Sequence, residues 1–246
     1  MNANIVDMKT QFIRTYVSVD CVVFGFDGQS LNVLLVKRNT EKTEGSELKL
    51  PGSLIYQDED ADTAAYRVLT ELTGINKMAL RQFHSFTSPL RTSNPEDVSW
   101  LEYEYSHKID RLITISYLSL CKIDRKLNVV SKYKTVQWCP VDELPKMPFD
   151  HNQIVEESLK EICRWLESEP SVVFELLPSK FTAAQLRRLY EAVYRKNYDV
   201  RNFHKKIAGM DYIVLTDEWQ SGVSHRAARF YKFDKVLYKK RMAAIE

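Results

Sequence analysis

The sequence predicts an α+β protein, a layered mixed-sheet domain followed by a small helical module that ends in a β wing. Three observations carry this. Through the first two thirds of the chain, runs rich in Val, Ile, Leu and Phe alternate with helical patterns in the order strands, helix, strands, helix. The last third instead carries two short helical patterns and then a strand pair. Charge divides at the same place: from Glu169 onward 15 Lys and Arg stand against 9 Asp and Glu, a balance of +6, which leaves −4 for the rest of the chain. A chain of 246 residues, 44% hydrophobic, can bury one large core or two ordinary ones. The expected division is 1–168 and 169–246, at the charged, Pro-containing stretch "CRWLESEPSVV".

Composition excludes several classes. No run of about 18 apolar residues exists, and the N-terminus lacks the apolar block of a signal peptide, so a soluble cytoplasmic protein is expected. Cys21, Cys121, Cys139 and Cys163 are widely separated, with no C-x-x-C pair and no His at finger spacing. They are expected to be reduced, mostly buried thiols, and neither structural zinc nor a cofactor is expected.

"YVSVDCVVFGFDGQSLNVLLVKR" reads as two antiparallel strands around the turn signal "FDGQS". "LKLPGSLIYQ" gives a short strand and turn. "DADTAAYRVLTELTGI" gives an amphipathic helix, with Asp62 or Thr63 as N-cap, Leu69 and Leu72 on its apolar side and Gly74 as its stop. "LRQFHSF", "RLITISYLSLCKI" and "TVQWCPVDEL" are further strands, separated by a long loop-like insert that contains "WLEYEY", Trp100 to Tyr105. A second long helix begins at Asp150. In the last third, Thr182 caps a helix with Leu186, Leu189, Tyr190 and Val193 at helical spacing, and after "KNYD" Asp199 caps another with an apolar stripe of Val200, Phe203, Ile207 and Met210. The polar side of that second helix carries Arg201, Asn202, Lys205 and Lys206. Two strands around Ser221-Gly222 form a wing, with His225, Arg226 and Arg229 at or near its tip. Helix, turn, helix and basic wing is the layout that places a helix in a DNA major groove and loop cations on phosphates.

The stretch "GSLIYQDEDADTAAYRVLTELTGI" resembles the Nudix box, G-x5-E-x7-R-E-U-x-E-E-x-G-U, with Ser53, Glu59, Arg67, Leu69, Glu71, Gly74 and Ile75 in register. Such a box converges carboxylates on one helix face to hold Mg²⁺ against a diphosphate. Here Val68 and Leu72 replace two of the acids, and Ser53 replaces the opening glycine. One carboxylate, Glu71, cannot build a multi-metal cluster, so no catalytic residue and no metal are expected. Glu59, Arg67 and Glu71 are expected to brace the loop against the helix.

Over nearly its whole length the chain resembles the Nudix-related transcriptional regulators, in which a degenerate Nudix domain senses a metabolite and a C-terminal winged helix binds an operator. Three local matches carry the resemblance: "LPGS", "MPFDHNQIVEESL" (Met147 to Leu159) and "SHRAARFYKF" (Ser224 to Phe233). It implies a Nudix-like mixed-sheet sandwich and a homodimer on a palindromic, double-stranded operator. The similarity is greatest to the branch governing sugar catabolism, which implies a repressor released by a pentose such as L-arabinose. The alternatives are an ADP-ribose-responsive regulator of NAD metabolism, an active Nudix hydrolase with an accessory DNA-binding domain, or a protein-binding adaptor.

A pentose site should combine carboxylate acceptors, cationic donors and an aromatic platform. The candidates around the cleft are Asp20, Lys37, Arg38, Lys49, Glu102, Tyr103, Glu104 and Tyr117. Asp20 interrupts an apolar strand and needs a cationic or hydroxyl partner. Asp150 stands at the favourable end of the linker helix as a cap, and His151 beside it is placed to report ligand state along that helix.

Overall fold

The structure, a computed structural model, describes residues 14–38, 47–123, 136–222 and 227–244. Its elements run β1 (Tyr16–Phe26), β2 (Leu31–Lys37), β3 (Leu48–Lys49), β4 (Gly52–Leu54), α1 (Ala61–Thr73), β5 (Arg81–Phe86), α2 (Pro95–Tyr105), β6 (Leu112–Lys122), β7 (Val136–Pro140), α3 (His151–Ser168), α4 (Ala183–Tyr194), α5 (Val200–Ala208), β8 (Ile213–Trp219), β9 (Arg229–Phe233) and α6 (Lys235–Ala243). Short 3-10 helices occupy Pro89–Thr92 and Pro170–Glu175.

The first seven strands form one mixed sheet, ordered β3-β2-β1-β6-β5, with β4 on β1 and β7 on β2. The β1–β2 turn is set by Asp27, whose Oδ1 accepts from the backbone N–H groups of Gln29 and Ser30, and by Gly28 at φ 94°. β1 and β6 are parallel over their full length, Tyr16 opposite Leu112 through Phe26 opposite Lys122. Strand alternation assigns the two faces. Val19, Cys21 and Tyr117 pack under Ala64, Ala65 and Val68 of α1. The opposite face, with Val22 and Phe24, is covered by Ile154, Leu159 and Ile162 of α3.

That second core continues without a break through Val172, Val173 and Phe174 into Leu186, Leu189, Phe203 and Ile207 of the C-terminal module. α4 opens with a capping box, Thr182 and Gln185 bonding reciprocally, and ends at Arg195 in a left-handed conformation, φ 47°. Asp199 caps α5 by accepting from the Asn202 N–H. β8 and β9 pair as the wing, and an isolated bridge joins Phe181 to Tyr231. Helix, turn, helix and two-stranded wing is a winged helix, as the sequence predicts. No helix among the described residues is long and apolar enough to cross a membrane. The four cysteines are free, three of them buried.

Several local expectations are corrected. The N-cap of α1 is Asp60, whose side chain accepts from Thr63 N–H, rather than Asp62 or Thr63. "WLEYEY" belongs to α2 and is not a loop: Asn94 caps the helix, Pro95 sits in its first turn, and Trp100 and Leu101 are buried. Asp150 stands at the N-cap of α3 but makes no side-chain cap bond, because Arg91 takes its carboxylate at 2.8 Å. Val200 falls outside the apolar stripe of α5 and is exposed.

Candidate functional site

The inward face of β1, the β3–β4 turn, α2 and the start of α3 line a small cavity of about 30 Å³. Asp20, Lys49, Arg91 and His151 form its polar wall, Trp100, Leu101 and Phe149 the apolar one. Gly52 is required here: a Cβ would lie 1.8 Å from Asp20 Oδ1 and 2.9 Å from the Val19 carbonyl.

Asp20 is buried, with Arg91 Nη2 and His151 Nε2 each 3.7 Å from its carboxylate. Burial pushes its carboxyl up, against the pull of the Arg91 and Lys49 charges. The ammonium of Lys49, also buried, is pushed down by loss of solvent and partly restored by Asp20; it donates to the Gly52 carbonyl at 2.7 Å. His151 Nδ1 accepts the Leu50 N–H at 3.2 Å, so the neutral ring carries its proton on Nε2, facing Asp20. Burial, together with the neighbouring Lys49 and Arg91 charges, lowers the His151 pKa to about 3.

Behind this wall Arg38 donates to Asp97 at 2.9 Å and lies 4.3 Å over the Trp100 ring. The second oxygen of Asp97 accepts from Asn94 Nδ2 and from the Phe149 N–H, both at 2.9 Å. Phe149 holds a left-handed φ of 54°, so α2 fixes the chain just before α3 begins.

The remnant box is a brace. Arg67 bonds both oxygens of Glu59, the Leu54 carbonyl at 3.0 Å and Glu71 at 3.3 Å, and stacks on Tyr56 at 3.8 Å. Those bonds hold the Glu59 carboxyl below the usual range. Ser53 shares a hydrogen bond with the Tyr105 hydroxyl, 2.8 Å, which also receives the Leu54 N–H at 3.2 Å. A divalent metal does not fit this arrangement. Val68 is fully buried beneath α1, Glu59 is consumed by Arg67, and among the described residues no group of three or more His, Cys, Asp or Glu is disposed to hold an ion.

Of the residues predicted to meet a ligand, Asp20, Lys49 and His151 line the cavity, and Arg38 stands one layer behind. The others lie elsewhere. Lys37 is exposed at the end of β2. Glu102 accepts from the Ile109 N–H at 2.9 Å, closing the turn after α2; Tyr103 is exposed; Glu104 acts on Lys49 only by its charge. Tyr117 is on the opposite sheet face, hydrogen-bonded to Asp62. Sequence reasoning missed Arg91 and Phe149, which stand in short or irregular segments, and Asp97, which stands in α2, read from the sequence as a loop.

In the winged helix, Arg201, Asn202, Lys205 and Lys206 are all exposed on α5. Lys206 also lies 4.2 Å over the ring of Tyr190. Arg229 opens β9 near the wing tip, opposite Trp219, and reaches back across the ribbon to the Thr216 carbonyl and to Asp217. His225 and Arg226 lie outside the described residues.

A mixed-sheet sandwich with a remnant pyrophosphatase box, joined through one long helix to a winged helix, defines a two-module Nudix architecture. The chain belongs to the NUDIX domain family, whose profile matches residues 14–161, and residues 173–233 match the NrtR DNA-binding winged helix domain. It is 23% identical over 230 residues to the ADPR responsive transcriptional repressor NtrR of Acinetobacter baylyi, covering 92% of this chain and 84% of that protein. The crystal structure of Shewanella oneidensis NrtR complexed with a 27mer DNA has a TM-score of 0.62 and 22% identity, covering 89% of this chain and 93% of that one. A MutT/nudix family protein from Enterococcus faecalis has a TM-score of 0.59 and 20% identity, covering 91% and 88%.

These matches overturn the expectation of a sugar-responsive regulator. The relative that spans nearly the whole chain is an ADPR-responsive repressor, and the winged helix matched is that of NrtR. Loss of the box acids is no argument for a sugar, because binding without cleavage needs no metal cluster and the cavity, with its own cations, lies on the opposite face of β1 from Val68.

Proposed function

We propose that this protein is an ADP-ribose-responsive transcriptional repressor of the NrtR kind. Residues 1–168 sense the effector, and residues 169–246 bind double-stranded operator DNA as part of a homodimer on a palindromic site. The observation that carries the reading is the join itself, a winged helix of the NrtR type on a Nudix domain, across nearly the full length of a repressor relative. The effector meets the cationic cavity wall, and Arg201, Asn202 and Lys205 face the DNA. The Nudix domain is catalytically silent, because the two box positions that should supply acids are apolar and the remaining acids are tied to Arg67.

Two measurements test this. ADP-ribose should raise the melting temperature, since a ligand that binds only the folded state stabilises it, and should release the protein from duplexes selected out of a random pool. No thermal shift and no release with ADP-ribose would overturn the reading. Incubation with ADP-ribose and Mg²⁺ or Mn²⁺ should leave the nucleotide intact; turnover at ordinary enzyme rates would overturn the silent-site assignment.

A further inference from the structure

Among the buried groups around the cavity, the Arg91 guanidinium stands apart. Its side chain is 1% exposed. Nε donates to the Asp150 carboxylate at 2.8 Å, but Nη1 and Nη2 have no hydrogen-bond partner, and Nη2 is 3.7 Å from Asp20, beyond hydrogen-bonding reach. A buried cation with unfilled donors is costly unless something else completes them. Arg91 is one of the residues lining the cavity, together with Lys49 and His151.

We propose that Arg91 and Lys49 form a phosphoryl-oxyanion subsite: the two free Nη groups of Arg91 grip two phosphate oxygens, and the Lys49 ammonium, on the same wall, supplies a second cation. This rests on the effector reading above and names the residues that would anchor the effector's charge. The guanidinium fork matches a phosphate edge bidentately, which a point charge does not. Burial raises the Asp20 carboxyl, which lessens its repulsion of an anion held beside it by Arg91. His151 Nε2–H is a further donor on the same wall. Trp100 and Phe149 offer an apolar face for whatever ring carries the phosphate. The same anion could belong to the diphosphate of a nucleotide sugar or to a free phosphate monoester, since the fork reads only the oxyanion.

Calorimetry on the full chain with ADP-ribose, ribose 5-phosphate and inorganic phosphate separates the possibilities, using the wild type, Arg91→Lys and Lys49→Met. Arg91→Lys keeps the charge and loses the fork, so affinity for a phosphate-bearing probe should fall on the order of 10-fold. Lys49→Met keeps the length of the side chain but takes a compensating charge from buried Asp20, so it should lower stability and also weaken the same probe by about 3- to 10-fold. Circular dichroism confirms that each variant is folded. In the wild type, inorganic phosphate should compete with ADP-ribose. ADP-ribose bound equally by wild type and both variants would overturn the subsite while leaving the ADP-ribose reading intact. Ribose 5-phosphate or phosphate bound in an Arg91-dependent way, with no ADP-ribose binding, would support the subsite and overturn that reading. If none of the three probes binds the wild type, the subsite is overturned.

Discussion

At the scale of single residues, the cavity was partly legible because buried charge is conspicuous in an apolar strand. Asp20 within "VSVDCVVF" and Lys49 before "LPG" announce themselves by the cost of burying them. Tyr117 was misplaced because its neighbours in sequence do not give its parity, and pairing with Cys21 turns it toward α1. Arg91 gave no signal, since one cation in "PLRT" reads as a solvated turn. Two predictions belong at this scale. Val68→Glu should not rebuild a hydrolase: Val68 is wholly buried against Val19, Cys21 and Tyr117, and an unpaired carboxylate there should cost about 3 kcal/mol or more. Urea melts would check it, and an unchanged midpoint would show that position 68 faces solvent. The second concerns acid. The folded His151 pKa, about 3, lies below the ordinary value of 6.5, so between those values the unfolded chain binds the extra proton and stability falls as pH falls. The contribution is complete above about pH 6.5 and amounts to at most about 4 kcal/mol by pH 3. Asp20, shifted upward, opposes it at the acid end. Urea midpoints from pH 7 to 4 should drop less in His151→Gln than in wild type, and parallel curves would refute a buried neutral imidazole.

At the scale of elements, long periodic segments were readable and short irregular ones were not. β1, β6, α3 and α4 stand where their apolar patterns place them. α2 was read as part of a loop because alternating aromatics and acids show no helical stripe, while the decisive signal, Asn94-Pro95 as cap and first turn, precedes that pattern. α6 has no buried residue to create a stripe. α5 was readable, but its lysines differ in a way only structure reveals: Lys205 is free in solvent, whereas Lys206 lies over Tyr190 and Tyr198, 4.2 and 5.4 Å from the rings. Lys205→Ala should therefore reduce the salt slope of DNA binding by about one unit on any sequence. Lys206→Ala should act first on the fold, at about 0.5–1 kcal/mol. Arg201→Ala or Asn202→Ala should weaken operator binding by about 1–3 kcal/mol relative to random DNA. Filter binding across a salt series, with thermal melts, distinguishes the three behaviours. Equal loss on operator and random DNA for Arg201 and Asn202 would show that another surface reads the bases.

At the scale of the whole molecule, one helix connects the two modules. α3 starts at the cavity, where Arg91 holds Asp150 and the Leu50 N–H reaches His151. Within two turns Glu156 grips both terminal nitrogens of Arg195, at 2.8 and 2.7 Å, and further on Cys163 donates to the Val193 carbonyl. Arg195 is the left-handed residue that ends α4 and opens the turn into α5. A shift of α3 driven from the cavity would therefore reach the residue that sets the direction of α5, the helix proposed to face DNA. In a symmetric dimer, two such helices must stay about 34–36 Å apart, or a multiple, to occupy successive major grooves, so a small rotation on both sides breaks registry at once. The Glu156–Arg195 pair is half-exposed and should contribute only about 0–1 kcal/mol to stability, which makes it a means of testing communication without unfolding the protein. Coupling between effector and operator must be reciprocal, typically about 5- to 150-fold in each direction. ADP-ribose titrated by calorimetry with and without saturating operator should show that factor in the wild type. In Glu156→Gln, the bidentate grip is weakened, and the ratio of the two affinities should move toward one. A ratio as large in the variant as in the wild type would mean that the signal bypasses this contact, and a wild-type ratio of one would mean that the effector does not control DNA binding at all.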